Sequence, residues 1–123
     1  MGDRSQIAIK DGDAKVYLYS HWGGSGIFET LQKCIKAGAR LDDPEYFARI
    51  VFREMGAGKG GETGYGIGTA MHGDTEHLVP VVDCANQTIT FEMPEWKHNK
   101  RPDPGEMSFA DFAAMPATTF ENW

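Results

Sequence analysis

With 123 residues, 41% of them apolar and 24% charged, and a net charge of −6, the chain reads as one globular domain with room for a sizeable core. The balance excludes wholesale disorder, and the acidic excess argues against nucleic acid as a partner. No apolar run is long enough to cross a bilayer and no basic, apolar leader opens the chain, so the expected setting is cytoplasmic, without membrane contact.

The first element is a hairpin. In "SQIAIKDGDAKVYLYSH", Ile7 and Ile9 alternate with polar neighbours, Asp11-Gly12-Asp13 turns the chain, and Val16 and Leu18 alternate with Tyr17 and Tyr19. The period then changes. Ile27, Leu31, Cys34 and Ile35 form one helical stripe with Phe28 at its margin, while Glu29, Gln32, Lys33 and Lys36 face away. Ser25 is the expected N-cap and Gly38 suits the position after the last turn. Asp43-Pro44-Glu45 then reads as a cap, an N1 proline and a first-turn acid, opening a second helix with the stripe Phe47, Ile50, Val51 and Met55. Two helices joined so tightly should lie antiparallel across one face of a sheet.

"GAGKGGETGYGIGT" follows as a loop that enters a strand at Tyr65. Glycines occupy one face of that strand and leave a hollow unless large side chains cover it. A hairpin turn is expected at Gly73-Asp74. "HLVPVVD" and "QTITFEM" form a further hairpin through Cys84-Ala85-Asn86, with Pro80 marking an edge or bulged strand. "PEWKHNKRPDPGEM" is a polar connector, and "SFADFAAM" a short helix capped by Ser108 and stopped by Pro116. The order ββααβββ plus a short helix predicts an α+β domain with a mostly antiparallel sheet over residues 1–93. Residues 94–123 are a connector and helix that pack on the domain or on a partner.

Chemistry is expected first at "SHWGGSG". A strand ending at His21-Trp22 and a helix starting near Ser25 would leave the amides of Gly24, Ser25 and Gly26 pointing outward, with Gly23 allowing close approach. Such a place suits phosphate or carboxylate. Trp22 or Tyr65 could stack on a base, and the 57–64 loop, with Glu62 and Thr63, could close over it. The expected ligand set is therefore His21, Trp22, Gly23, Gly24, Ser25, Gly26, Glu62, Thr63 and Tyr65.

Other patterns carry less. Gly56, Gly58 and Gly61 match G-x-G-x-x-G after a helix instead of after a strand, which removes the phosphate-binding mechanism. "HGDTEH" brings His72, Asp74, Glu76 and His77 together at a turn, where polar residues belong anyway. Lys97, His98, Lys100 and Arg101 form a small basic cluster in the connector. Cys34 and Cys84 read as free thiols, and neither has an activating neighbour in sequence. No G-x-S-x-G or H-E-x-x-H is present, so no catalytic residue, metal or cofactor is assigned.

The motifs "VYLYSHWGGSG", "DDPEYFARIVFREM" and "GETGYGIGT", spanning roughly residues 4–92, resemble a group of small hypothetical proteins associated with actinobacteria and bacteriophages. The resemblance implies a phage accessory protein in the host cytoplasm and brings no site residues with it. Together with the glycine turn it points to a protein that holds an anionic, nucleotide-derived ligand and so sequesters a host defence signal, as a homo-oligomer. The alternatives are an interaction module acting through Trp96, Phe120 and Trp123, and a small hydrolase using His21 with Glu62 or a metal at His72 and His77.

Overall fold

A computed structural model describes residues 3–57, 64–93 and 103–123. Alternating apolar residues and the turn at Gly12, whose φ of 61° suits glycine, build β1 (Ser5–Asp11) and β2 (Ala14–Ser20) as an antiparallel hairpin. After a 3-10 turn over Gly24–Gly26 come α1 (Ile27–Ala37) and α2 (Pro44–Gly56). The Asp43 carboxylate accepts from the Tyr46 amide and Pro44 opens α2, as the sequence order predicts.

The remaining elements are β3 (Tyr65–Gly68), β4 (Val79–Asp83), β5 (Thr88–Glu92), β6 (Met107–Ser108), α3 (Phe109–Ala113) and a 3-10 turn over Ala117–Asn122. Among the described residues six strands form one sheet in the order β3-β2-β1-β4-β5-β6. Only the central pair, β1 with β4, is parallel. The class is α+β with a mostly antiparallel sheet, as expected.

Two expectations about connections are corrected. Gly73-Asp74 does not turn a hairpin, because β3 pairs with β2 while β4 pairs with β1. Residues 69–78 instead form a strap from β3 at one edge to β4 beside the central strand. Pro80 lies inside the sheet rather than at an edge, opposite Phe91 of β5. It is tolerated because the ladder with β1 begins only at Val81.

One face of the sheet carries Ile7, Ile9, Leu18, Val82 and Ile89 and is covered by the helices. Phe28, predicted at the margin of its stripe, is fully buried there. Gln32, predicted to face water, is buried too, and the reason is specific: its side-chain amide donates to the carbonyls of Phe112 (3.0 Å) and Met115 (2.8 Å). Helix α1 therefore needs an amide on that face to hold the C-terminal segment.

That segment completes the core. Phe109, Phe112 and Phe120 are buried, Trp123 packs edge-on against Phe28, Phe91 and Phe120, and the Trp123 carbonyl accepts from the Leu78 amide at 2.7 Å. Ser108 caps α3 as expected, accepting from Asp111 at 3.1 Å. Among the described residues no helix is long and apolar enough to span a membrane.

Replacing Gln32 with Ala should remove its side-chain donor from both carbonyls, leaving Phe112 with the Met115 amide, and lower stability by about 1–3 kcal/mol. Urea unfolding of the two proteins measures the difference, and equal midpoints would show that Gln32 does not anchor the C-terminal segment.

Candidate functional site

The glycine turn is best understood from Asp3, which lies just before β1. The Asp3 amide donates to the His21 carbonyl (3.0 Å), and its carbonyl accepts from Gly24 (2.8 Å). Its carboxylate accepts from the Ser25 amide (2.9 Å) and from His77 Nε2 (2.6 Å). The Gly26 amide bonds back to Gly23. The three amides expected to cradle a ligand are thus satisfied within the chain, and the anion at this helix start is the protein's own carboxylate.

Two of the three glycines have a reason tied to that arrangement. Gly23 adopts a φ of 70°, and a methyl group on Gly24 would overlap the Asp3 carbonyl. Ser25 lies inside the 3-10 turn and provides no side-chain cap; α1 starts after Gly26. Burial works against ionisation of Asp3, but hydrogen bonds from His77 and Ser25 outweigh it and hold the carboxyl below its ordinary 3.8.

The "HGDTEH" segment is equally committed. Within the strap, His72 exchanges two backbone hydrogen bonds of 3.0 Å with the fully buried side chain of Gln6. Asp74 pairs with Arg4 (3.4 Å), the Thr75 hydroxyl and the Glu76 amide donate to the Arg4 carbonyl, and Glu76 accepts from the Arg4 amide (2.8 Å). Three residues of one short stretch, Asp3, Arg4 and Gln6, therefore hold the strap along most of its polar length. Among the described residues no group of three or more His, Cys, Asp or Glu could hold a metal ion.

Four of the expected site residues fall at two separate hollows, Ser25 at one and His21, Trp22 and Tyr65 at the other. Ser25 opens to one of about 370 Å³ with Glu29, His77, Thr118 and Glu121. His21, Trp22, Gly64, Tyr65, Gly66, Tyr19 and His72 line another of about 410 Å³ on the strap side of β2 and β3. Glu62 and Thr63 lie outside the described residues, as do Trp96 and the basic cluster of the connector.

The second hollow is aromatic. Trp22 is 48% exposed, its ring seated on Gly64, where a methyl group would overlap the indole. His21 meets Trp22 edge-on at 4.8 Å, and its backbone is held by the Gly64 carbonyl (2.8 Å) as well as by Asp3. Tyr19 packs on His72 at 4.5 Å. Gly66, opposite Tyr19 in the sheet, has no atom within 4 Å of where a side chain would begin, so the glycine-faced strand does leave a hollow. Tyr65 only borders it. Strand alternation sends its ring toward the helix face, against the core near Gly56.

The sequence reading did not assign Tyr19, Gly64, Gly66 or His72 to this site. The signal for Tyr19 and Gly66 was present in the two alternations, but their register required knowing that β3 pairs with β2. His72 arrives from the strap, which local pattern does not place. Cys34 and Cys84 are buried, and burial first, then nearby carboxylates, pushes each thiol up to about 11, away from the thiolate form.

No family model, curated protein or solved structure matches the chain.

Two tests follow from this geometry. Asp3→Ala should lower stability by about 1 kcal/mol at neutral pH through the lost cap and charge-assisted bonds. Because the folded carboxyl titrates below its ordinary 3.8, that contribution is present above this value. It disappears as pH falls through the lowered pKa, so unfolding curves of wild type and variant should converge in acid. Gly64→Ala should displace the indole of Trp22 and lower stability by about 1–3 kcal/mol, with a changed near-ultraviolet circular dichroism signal; an unchanged signal would mean the indole does not rest there.

Proposed function

We propose that the protein binds a small planar molecule, a nucleotide or nucleotide-like ligand, in the hollow between Trp22, Tyr19 and His72. The observation that carries this reading is a half-exposed indole held on Gly64 beside an open hollow whose lining among the described residues is mostly rings and includes no carboxylate. An aromatic face presented to water beside such a hollow is the arrangement on which bases stack, and small-molecule sites favour concave places with few polar groups among aromatics. His21 and His72 supply ring nitrogens for the polar edge of the ligand. The helix start is not part of the reading, since Asp3 occupies it.

This reading is one of binding and release, with no covalent step. Sequestration of a nucleotide signal, the role implied by the resemblance to phage-associated proteins, is the biological form it would take. The interaction reading is weakened at two of its aromatics, because Phe120 is buried in the core and the half-buried Trp123 packs against it.

Nucleoside monophosphates and cyclic nucleotides should raise the melting temperature. A hundredfold excess over Kd contributes about 2.7 kcal/mol, or roughly 10 °C for a domain of this size. Trp22→Ala should weaken binding by roughly 10- to 100-fold through lost stacking. Gly66→Leu should block it while preserving the fold, since its side chain would enter open space from an ordinary strand backbone. Calorimetry on the three proteins reads both effects, and wild-type protein that binds none of these nucleotides would sink the proposal.

A further inference from the structure

The hollow has a polar side with a defined direction. Arg4 Nε donates to His21 Nδ1 at 3.4 Å, and the Tyr19 hydroxyl lies 3.5 Å from the same nitrogen. A guanidinium has donors only, so His21 Nδ1 must be the nitrogen that carries the lone pair. Burial first, then the charge of Asp74, raises the Tyr19 pKa, so its phenol keeps the proton and can donate to the lone pair that Arg4 has already placed on that nitrogen. The proton of the neutral imidazole is thereby sent to Nε2.

The ring is held by Arg4, Tyr19 and Trp22. The backbone of His21 is bonded on both sides, to Asp3 and to Gly64, and its ring stands edge-on to Trp22. Arg4 is itself held in place, its backbone by Glu76 and its side chain by Asp74. Nε2 of His21 makes no hydrogen bond to any described residue, and the residue lines the hollow.

We infer that His21 presents a fixed Nε2–H donor to the edge of a ring stacked on Trp22, with Arg4 as its positioning residue, and so selects bases bearing an oxo group over those bearing an amino group. The inference rests on the binding role proposed for this hollow and adds the chemistry of the preferred ligand. An oxo group accepts from the donor, whereas an amino group at the same position sets donor against donor and leaves both unpaired.

The test pairs ligands that differ at that one group: inosine against adenosine monophosphate, and uridine against cytidine monophosphate, measured by calorimetry on the full chain. The oxo member of each pair should bind about tenfold tighter or more. His21→Phe, which keeps a ring but no donor, should remove the preference. Long-range proton–nitrogen NMR correlations should show the His21 proton on Nε2 in the unliganded protein, and Arg4→Met should shift the ring toward a mixture of tautomers. Equal affinities within both pairs, with binding still dependent on Trp22, would overturn the selectivity and leave the binding role intact. Absence of binding by all four would overturn both. A wild-type proton on Nδ1 would overturn the inference whatever binds.

Discussion

The structure depends on one short stretch, Asp3 to Gln6, where the chain enters its central strand. Strands β3 and β4 run in the same direction with β2 and β1 between them, so no tight turn can join them and a connection must run over the sheet and be held there. The strap of residues 69–78 is that connection, and its polar groups are taken up almost one by one by Asp3, Arg4 and Gln6. Asp3 simultaneously satisfies the amides at the start of α1. A single segment thus fixes the strap on one face of the sheet and the helix start at its end. Buried amides and carbonyls require partners, and here the partners come from distant parts of the chain.

This arrangement divides the surface around the glycine turn. On one side His77 and Ser25 serve Asp3 and are largely spent on structure. On the other, Tyr19, His21, Trp22 and His72 surround an open space above Gly64 and Gly66. The hollow exists because two glycines do different things. Gly64 lets an indole lie against the backbone, and Gly66 withholds the side chain that would otherwise fill the groove. The same hydrogen bonds that hold the strap also place His72 against Tyr19, so the wall of the candidate site and the stability of the fold share their supports.

On the helix side of the sheet the C-terminal segment plays a comparable part. Buried Gln32 reaches from α1 to two carbonyls of that segment, and Phe120 and Trp123 fill space beside Phe28. Aromatic residues near a chain end look like an exposed docking surface when read in one dimension. In the folded chain they are core, because the apolar side of α1 is wider than its stripe of four suggests.

The sequence by itself determined the hairpins, both long helices, the Asp43 and Ser108 caps and the α+β class, since each follows from periodicity, capping chemistry or turn residues within a few positions. It also marked His21, Trp22 and the glycine-faced strand as places where structure alone did not need those residue types. Pairing order lay beyond it: nothing local reveals that β3 joins β2 while β4 joins β1, nor that Asp3 rather than a ligand meets the amides of Gly24 and Ser25. Those outcomes are set by long-range satisfaction of buried polar groups, in which a carboxylate, an arginine and a glutamine find partners some twenty to seventy residues away. Tertiary structure therefore moved the candidate site from the helix start to the hollow beneath Trp22, because one anion position was already filled and one strand face was left empty.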